Sequence, residues 1–472
     1  MVFSSNVFLI IFLPIFLICY FACPRKWRNV ILLLFSIVFY AFGAPTFVLL
    51  LLGSTVINFY LVKLLYKSEN LVHKKIFAGL AIAVSLGLLA YFKYANFFVG
   101  NLNALLAVFG LQPFTFAKVL LPIGISFFTF QSITYVVDTY RNVHKPMERL
   151  TDYMLYIIMF PQLIAGPIVR YCDIADEIRH REQNWSESLQ GFYRFVIGLS
   201  KKVLIADVIG HQVDMLLSGD LLTMNTGTAW ITIIAYTMQL YFDFSGYSDM
   251  AIGLGKIMGF HFPENFDNPY NSASVSEFWR RWHITLGTFM RNYLYIPLGG
   301  NRCSKPRMYF NLWVVFLLSG LWHGASWNFV IWGAYHGFWL VLERIGLGKI
   351  YEKMGKIPSV IITFLIVTVG WAIFRIENLS DAFTFLSRLF SFDFQTIIPI
   401  QSLQFCTTLI VALIFAFIAL FPFGNKIQNF VFYTNFSKKQ HLAVWSVCIV
   451  LFLFCLGALN AIGFSPFIYF RF

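Results

Sequence analysis

Long apolar runs with almost no charge recur along the whole chain, and they constrain its fold more than any other feature. Residues 7–21 and 403–421 each approach the ~20 residues that a helix needs to cross a bilayer. Only 12% of the 472 residues are charged and mean hydropathy is +0.70, whereas soluble domains carry about 25% charged residues. The sequence therefore predicts an all-α polytopic membrane protein, and we treat residues 1–472 as a single transmembrane domain.

Basic residues cluster in the short loops between these runs, which constrains how the chain threads through the membrane. All the clusters can face the cytoplasm if about twelve spans separate them, and both termini are then extracytoplasmic. The clusters occupy residues 25–28, 63–75, 141–149, 170–181, 280–307, 344–356 and 426–439. No positive residue precedes the first apolar run, so we expect a retained span rather than a signal peptide. Orientation and anionic lipid explain the net charge of +13, and nucleic acid is not an expected partner.

The candidate spans differ in quality, and several weak segments lie in the middle of the chain. The spans are residues 6–23, 30–43, 46–62, 76–93, 119–138, 189–210, 228–246, 308–323, 326–342, 358–376, 402–421 and 443–462. Residues 189–210 carry Arg194, Lys201 and Lys202, and residues 152–168 are apolar but interrupted by "PQLIAGP". A bilayer tolerates such segments only where they are buried in protein or line a cavity. We therefore expect re-entrant pieces around a polar interior.

The seven cysteines lie in or beside apolar runs, or in loops that we place in the cytoplasm. Disulfides are rare in the cytoplasm, so a disulfide framework is not predicted. The spacing of Cys and His gives no zinc pattern. We expect neither a metal site nor a permanently bound cofactor.

Residues 261–307 are the least membrane-like stretch and are predicted to be cytoplasmic. "HFPENFDNPYNS" is a turn-rich loop, and "SVSE", residues 274–277, is a capping box that predicts a helix running to about residue 295. One face of that helix carries Phe278, Trp282, Leu286, Phe289 and Tyr293, and another carries Arg281, Thr285, Thr288 and Asn292. This pattern indicates a basic amphipathic or re-entrant helix, which we expect on the membrane surface.

His323 ends an apolar run in "LSGLWHGASW" and is the first candidate for chemistry. A histidine near the end of a span is often a structural hydrogen-bonding group, and that alternative stays open. The neighbouring residues Ser319, Gly320, Gly324, Ala325 and Ser326 are small, so backbone or a ligand can approach closely. A neutral imidazole is also the side chain best suited to take a proton near neutral pH.

Two further histidines fall near this motif. His283, on the predicted amphipathic helix, is either an interfacial side chain or a partner that orients the substrate or polarises a carbonyl, and only proximity to His323 supports the second role. His336 follows His323 by thirteen residues, close to 20 Å along an unbroken helix. We expect it to be a packing or rim residue.

Several charged residues near these motifs have two interpretations each. Asp243 and Asp249, in "QLYFDFSGYSDMAIG", are either span-end carboxylates satisfied by local donors or supports for a polar site. Arg280, Arg281 and Arg291 suit lipid phosphates, and they equally suit the phosphates of a nucleotide from the cytoplasm.

Several long motifs resemble the membrane-bound O-acyltransferase (MBOAT) family. They are "EFWRRWHITLGTFMRNYLYIPLGGNR" (277–302), "LSGLWHGASWNFVIWGAYHG" (318–337), "YFDFSGYSDMAIGLGKIMGF" (241–260), "NPYNSASVSEFW" (268–279) and the opening "MVFSSNVFLIIFLPI". The resemblance covers essentially the whole chain, is strongest over residues 239–337, and is closest to the bacterial branch of alginate, cell-wall and exopolysaccharide O-acetylation proteins.

The resemblance implies roles for residues at the matching positions. The family's catalytic histidine corresponds to His323, and a second position, occupied by His, Asn or Asp across the family, corresponds to His283. We assign substrate or donor binding to Trp279, Arg280, Arg281, Trp282, Arg291, Asn268 and Trp327, and a supporting role to Asp243 and Asp249. The implied fold is a ring of about 11–12 tilted transmembrane helices, with re-entrant and amphipathic helices, around a central tunnel.

The implied activity is transfer of acetyl from cytoplasmic acetyl-coenzyme A toward hydroxyls of an extracytoplasmic polysaccharide, either an alginate-like exopolysaccharide or peptidoglycan. His323 is the general base, and the location is the bacterial cytoplasmic (inner) membrane. A secreted or membrane-anchored, serine esterase-like acetyltransferase is the expected protein partner. Three alternatives stay open: D-alanyl transfer to teichoic acid from a carrier-protein thioester, a polysaccharide or acyl-group transporter without covalent chemistry, and a subunit that only anchors secreted acetylating enzymes.

Overall fold

The computed structural model describes residues 1–394, 402–462 and 467–468. These residues form helices joined by short loops, with one isolated β-bridge between Phe266 and Trp282 and no β-strand among them. The chain groups into two compact units. The N-terminal unit contains Met1–Gln183 and Met258–Pro263, and the C-terminal unit contains Asn184–Ile257 and Glu264–Phe472.

The N-terminal unit is built from nine α-helices and short π- and 3-10-helical turns. The α-helices are α1 (Leu13–Ala22), α2 (Arg28–Gly43), α3 (Val48–Lys67), α4 (Leu71–Leu89), α5 (Ala95–Val108), α6 (Ile125–Tyr140), α7 (Leu150–Ile158), α8 (Phe160–Leu163) and α9 (Tyr171–Arg179). The π-helical turns are Val7–Phe12 and Ala90–Tyr94, and the 3-10 turns are Arg25–Trp27 and Pro45–Phe47.

In the C-terminal unit the described helices are α10 (Trp185–Ser200), α11 (Asp207–Leu217), α12 (Thr226–Ile257), α13 (Val275–Arg281), α14 (Ile284–Met290), α15 (Lys305–His323), α16 (Trp327–Leu342), α17 (Gly348–Met354), α18 (Lys356–Arg375), α19 (Leu379–Leu389), α20 (Leu403–Phe417), α21 (Pro422–Tyr433) and α22 (Lys438–Ile462). The π-helical turns are Lys201–Ala206, Arg291–Tyr295 and Glu343–Leu347, and the 3-10 turns are Pro269–Asn271 and Ile418–Leu420.

Six helical segments among the described residues are long and apolar enough to cross a membrane. They are Arg25–Gly43, Pro45–Lys67, Leu71–Val108, Lys356–Arg375, Leu403–Leu420 and Lys438–Ala461, and Val7–Ala22 is a shorter apolar helix. Each predicted span falls on a helix, although residues 119–124 precede the helix that was predicted from 119. By length and composition, fewer of the described helices qualify as membrane spans than the twelve or so expected from the sequence. The remaining helices are shorter, less apolar or more charged.

The interrupted apolar segment at residues 152–168 is broken as predicted, and it is buried within the N-terminal unit. Helix α7 ends at Ile158, and the Phe160 ring packs against Phe12, Phe16 and Phe39 at centroid distances of 5.1–5.5 Å. The backbone N–H of Phe160 donates to Ser36 Oγ at 3.0 Å. A side chain of α2 thus satisfies a backbone donor at the break, which is what a bilayer-embedded protein requires of irregular backbone.

Glycines bring α10 and α12 into backbone contact in the C-terminal unit. A Cβ at Gly191 would lie 2.6 Å from the carbonyl oxygen of Gly253, and a Cβ at Gly198 would lie 2.5 Å from that of Gly246. Both pairs are seven residues apart along their helices, so the contact continues over about two turns. This close approach allows charged side chains on α10 to reach carboxylates on α12.

Candidate active site

His283 lies at a break between two short helices rather than on a continuous one. Helix α13 ends at Arg281, and His283 has a left-handed backbone conformation (φ 48°) before α14 begins. The break is held by residues that precede it in the chain, since Asp267 N–H donates to Arg281 C=O and Ile284 N–H donates to Asn265 C=O, each at 3.0 Å.

The prediction of one continuous helix from residue 274 to about 295 is therefore wrong. Its start is confirmed, because Ser274 Oγ accepts the N–H of Glu277 at 3.0 Å. Beyond Arg281 the chain turns inward, and Trp282 and His283 are only 2% and 1% exposed. Burial of these rings and the hydrogen bonds to the preceding loop replace the helical hydrogen bonds that local periodicity favours.

The orientation of His283 is fixed by a small polar network. Its Nδ1 lies 3.0 Å from Asn265 Oδ1, which also accepts from Thr285 Oγ1 at 2.8 Å. Asn265 Nδ2 in turn donates to Ser248 Oγ on α12 at 3.0 Å. An amide oxygen can only accept, so a neutral His283 carries its proton on Nδ1 and presents Nε2 as the basic nitrogen.

His323 is the last residue of α15 and is 4% exposed. Its ring contacts Trp322, Trp332 and Phe374 edge-on at centroid distances of 4.9, 5.1 and 5.4 Å. Gly320 allows close backbone packing of α15 on α16, because a Cβ there would overlap the carbonyl group of Phe329. The imidazole is therefore held among aromatic rings at a helix end.

The structure brings the two predicted histidines to one place. The Trp322 ring is 6.0 Å from the His283 ring and 4.9 Å from the His323 ring, so one indole contacts both imidazoles. The inward turn at residue 283 brings His283 to this indole, and a shared role of the two histidines stays a prediction.

His336 is a packing residue and not a rim residue. It is 0% exposed, and its ring lies against Trp279 at 4.9 Å and Trp332 at 5.0 Å. Neither ring nitrogen of His336 has a hydrogen-bond partner among the residues that the structure describes.

The two tryptophans predicted to bind donor on α13 and at its end are packed inside the protein. Trp279 contacts Phe316, Trp332 and His336, and Trp282 stacks against Phe278 at 5.6 Å. Both rings are thus in contact with other side chains, and donor binding by them stays a prediction.

The remaining predicted donor-binding residues are more accessible. Arg280 and Arg291 are exposed, whereas Arg281 pairs with Glu277 at 2.8 Å. Trp327 is half-exposed at the start of α16. Asn268, which has a left-handed conformation (φ 45°), donates through Nδ2 to Gln428 Oε1 at 2.6 Å.

Asp243 and Asp249 belong to a group of charges that we call the ion-pair cluster. Its members are Arg194, Lys201, Lys202, Asp207, Asp243, Asp249 and Glu264. Asp249 accepts from Arg194 at 2.9 Å and from Lys201 at 2.6 Å. Lys202 Nζ lies 2.8 Å from Asp243 and 2.6 Å from Asp207. The cations of α10 and of the turn after it thus pair with both carboxylates of α12, for which satisfaction by local donors and support of a polar site had been the two alternatives.

A cavity of about 610 Å³ lies beside this cluster in the C-terminal unit. One part of its wall is polar and includes Ser248, Asp249 and Asn265, and much of the rest is apolar, including Val411 and Phe415. Asn265 therefore links the cavity wall to His283 directly. A cavity with a polar patch on one part of its wall and apolar side chains elsewhere is typical of small-molecule sites.

Sequence reasoning missed Asn265, Ser248 and Glu264 as parts of this site. Asn265 and Glu264 lie in the "HFPENFDNPYNS" loop, whose composition indicated only a turn. The charges of residues 189–210 and of α12 were each noticed, and their opposite signs in neighbouring apolar segments were the signal for pairing. Among the described residues, no group of three or more His, Cys, Asp or Glu is arranged to hold a metal ion.

Comparison with known proteins assigns the family. The membrane-bound O-acyltransferase family matches residues 7–350. The chain is 46% identical over 433 residues to the "Probable alginate O-acetylase AlgI" of Pseudomonas aeruginosa, covering 90% of this chain and 83% of that protein. It is 37% identical over 425 residues to the "Peptidoglycan O-acetyltransferase" of Helicobacter pylori, with 82% and 80% covered.

A more distant relative is the "Teichoic acid D-alanyltransferase" of Bacillus subtilis, which is 28% identical over 277 residues and covers 53% of this chain and 68% of that protein. The family match and the two O-acetylation relatives agree with an all-α, multi-pass membrane enzyme that transfers acyl groups to oxygen. The chain belongs to the membrane-bound O-acyltransferase family.

Proposed function

We propose that this protein transfers acetyl groups from cytoplasmic acetyl-coenzyme A toward hydroxyl groups of an extracytoplasmic polysaccharide. The observation that carries the proposal is the meeting of His283 and His323 at Trp322, with His283 oriented by Asn265 on a cavity wall. The names of the relatives support an acceptor such as alginate or peptidoglycan.

In the proposed reaction His323 is the general base. Its imidazole takes the proton of the acceptor hydroxyl while the oxygen attacks the thioester carbonyl, and a carbon–oxygen bond forms. The resulting oxyanion collapses, the carbon–sulfur bond breaks, and the thiolate takes the proton back from His323. The products are an acetate ester and free coenzyme A. Removing such a base typically costs about 10²–10⁴ in rate.

His283 has a different task in this scheme. Because its Nδ1 is engaged by Asn265 Oδ1, a neutral His283 can accept but not donate a hydrogen bond at Nε2. We assign it to orienting the acceptor hydroxyl. Oxyanion stabilisation then falls to backbone N–H groups, since helix α16 begins four residues after His323 and the first-turn N–H groups of a helix have no intrahelical partner.

The proposal includes a direction and partners. Acetyl-coenzyme A reaches the site from the cytoplasm, both chain termini are extracytoplasmic, and the membrane is the bacterial inner membrane. A secreted or membrane-anchored, serine esterase-like acetyltransferase completes transfer to the polymer. The basic loops listed in the sequence support this orientation, because such loops stay on the cytoplasmic side.

The test uses the purified protein in proteoliposomes with labelled acetyl-coenzyme A and an oligosaccharide acceptor. Ester formation and thiol release are measured for wild type, His323→Ala and His283→Ala, with the exposed His73→Ala as matched control. We expect loss of at least about 100-fold for His323→Ala, a smaller loss for His283→Ala, and no change for His73→Ala. Undiminished transfer by His323→Ala contradicts the role of His323.

Two further arms separate the alternatives. A D-alanyl carrier-protein thioester replaces acetyl-coenzyme A in one arm, and the likeness to the teichoic acid D-alanyltransferase is the reason to include it. Use of the carrier but not of acetyl-coenzyme A favours that reaction. In the other arm, glycan uptake without consumption of thioester favours a transporter.

A further inference from the structure

A second charged region lies in the N-terminal unit and is formed by residues that the proposed reaction does not use. It is a cavity of about 410 Å³, which we call the basic cavity, and its wall carries six cationic side chains: Arg25, Lys26, Arg28, Arg149, Arg179 and Arg181. Asp152 is the one acidic residue on that wall. The cavity is therefore strongly positive and is a candidate site for an anion.

On the wall of this cavity, the six cations face one carboxylate, that of Asp152. Within the described parts of the chain, none of the six forms an ion pair with a carboxylate. Arg28 Nε is in addition buried without a hydrogen-bond partner among those residues. A buried donor without an acceptor costs about 1–3 kcal/mol, and a bound anion would remove that cost.

The Arg181 side chain in this cavity is held in place by several contacts. Arg181 donates through Nε to the carbonyl oxygen of Met258 at 3.0 Å, through Nη1 to Asn29 Oδ1 at 2.6 Å and through Nη2 to the Tyr20 hydroxyl at 2.8 Å. Its guanidinium lies 4.3 Å from the Phe260 ring centroid. Neutral partners thus fix the position of the charge without cancelling it. Such pre-organisation lowers the entropic cost of binding.

Three of the cationic residues lie between two apolar helices, and this position indicates how deep in the membrane the cavity lies. Arg25, Lys26 and Arg28 follow the apolar helix Val7–Ala22 directly and open the candidate span Arg25–Gly43. Trp27, between them, is 53% exposed. Exposed tryptophan beside arginine and lysine at a span end is typical of the interface between hydrocarbon and headgroups.

We propose that the basic cavity binds a phosphate ester, and that the membrane supplies it as the headgroup of an anionic phospholipid. Guanidinium groups match phosphate oxygens with paired hydrogen bonds, and basic pockets between helix ends bind anionic headgroups in membrane proteins. The site does not depend on the acyl-transfer chemistry proposed above.

The experiment measures lipid selectivity of the full-length protein in nanodiscs that contain phosphatidylcholine and increasing phosphatidylglycerol. Native mass spectrometry of the released protein counts each bound lipid. The test variant is Arg25→Gln/Arg149→Gln, because neither side chain makes a hydrogen bond or ion pair in the described structure. The matched control, Lys67→Gln/Lys75→Gln, removes two exposed charges of the same unit, one at the end of α3 and one in the first turns of α4.

We expect wild type and the control to prefer phosphatidylglycerol, and the cavity variant to lose about 30-fold of that preference, since each basic residue contributes about 1 kcal/mol to anionic lipid binding. Arg149→Gln alone loses about fivefold and serves if the double variant is unstable. Equal losses in both double variants, or no preference in wild type, overturn the proposal.

A soluble arm distinguishes the source of the phosphate. Glycerol 3-phosphate and coenzyme A are titrated against the protein in phosphatidylcholine nanodiscs. If either binds and is lost in the cavity variant while phosphatidylglycerol selectivity is unchanged, the lipid assignment is wrong. If neither ligand binds and the cavity variant loses its lipid selectivity, the result supports the lipid assignment.

Discussion

The ion-pair cluster of the C-terminal unit and the basic cavity of the N-terminal unit use cationic side chains in opposite ways. In the cluster, Arg194, Lys201 and Lys202 each lie within 3 Å of a carboxylate oxygen. In the cavity, six cations share one carboxylate that none of them contacts as an ion pair. In the first region the cationic side chains are paired with carboxylates and join helices. In the second region they have no such partner among the described residues and are available to a ligand.

The largest effect is expected from removing a carboxylate from the ion-pair cluster, which tests whether its ion pairs stabilise the fold. Asp249→Asn leaves Arg194 and Lys201 without their shared partner, and breaking a buried ion pair typically costs about 3–5 kcal/mol. We expect a loss of that size in the free energy of unfolding, measured by denaturant titration in detergent micelles. The exposed Glu352→Gln should stay within about 0.5 kcal/mol of wild type. A loss no larger for Asp249→Asn contradicts internal cancellation.

A smaller change, Arg194→Lys, keeps the positive charge but removes the guanidinium group that donates to two carboxylates. Arg194 donates to Asp249 through Nε at 3.0 Å and to Glu264 through Nη1 at 2.6 Å. In Arg194→Lys one ammonium cannot span both carboxylates, so we expect a loss of about 1–2 kcal/mol in unfolding free energy. Arg344→Lys, an exposed arginine in the same unit, is the control and should change nothing measurable. Equal effects refute a bridging role of Arg194.

The basic cavity predicts a gain when its carboxylate is removed. Asp152 is the carboxylate on the wall of this cavity, and its negative charge opposes the binding of an anion there. Asp152→Asn should increase phosphatidylglycerol selectivity about fivefold in the nanodisc assay. Glu69→Gln removes an exposed carboxylate elsewhere in the unit and should not. Unchanged or weaker selectivity in Asp152→Asn contradicts an anion site.

The smallest effect on the free energy of unfolding is expected for the basic cavity, and it distinguishes the cavity from the ion-pair cluster most clearly. Arg25→Gln/Arg149→Gln should alter the free energy of unfolding in phosphatidylcholine by no more than about 0.5 kcal/mol, because these cations bind no carboxylate. The same denaturant titration as for Asp249→Asn measures it. A loss of several kcal/mol would show that the cavity charges support the fold and do not serve a ligand.

Helix positions could be predicted from the sequence because hydrophobic runs, prolines and caps act locally. Ser274 and the break within residues 152–168 are examples, and both are confirmed. The turn at His283 could not be predicted, since it is held by backbone hydrogen bonds from Asn265 and Asp267, and local periodicity favours continuing the helix.

The site was predicted in part for a related reason. His323 and His283 were singled out from the sequence and were given their roles by the family resemblance, and both rings neighbour the Trp322 indole in the structure. The pairing of Asp249 with Arg194 needs α10 and α12 in backbone contact, which the glycines permit. The sequence shows those glycines seven residues apart in each segment, but it does not show that the two segments face each other.

The left-handed backbone at residue 283 restricts which amino acids evolution can place there. Among residues other than glycine, that conformation is populated mainly by asparagine, aspartate and histidine, the same three that the family resemblance implies at this position. Side-chain chemistry and backbone geometry thus favour the same three amino acids at this position. His283→Asn should therefore preserve the bend, whereas a β-branched replacement such as His283→Val would straighten it and displace the residues on both sides.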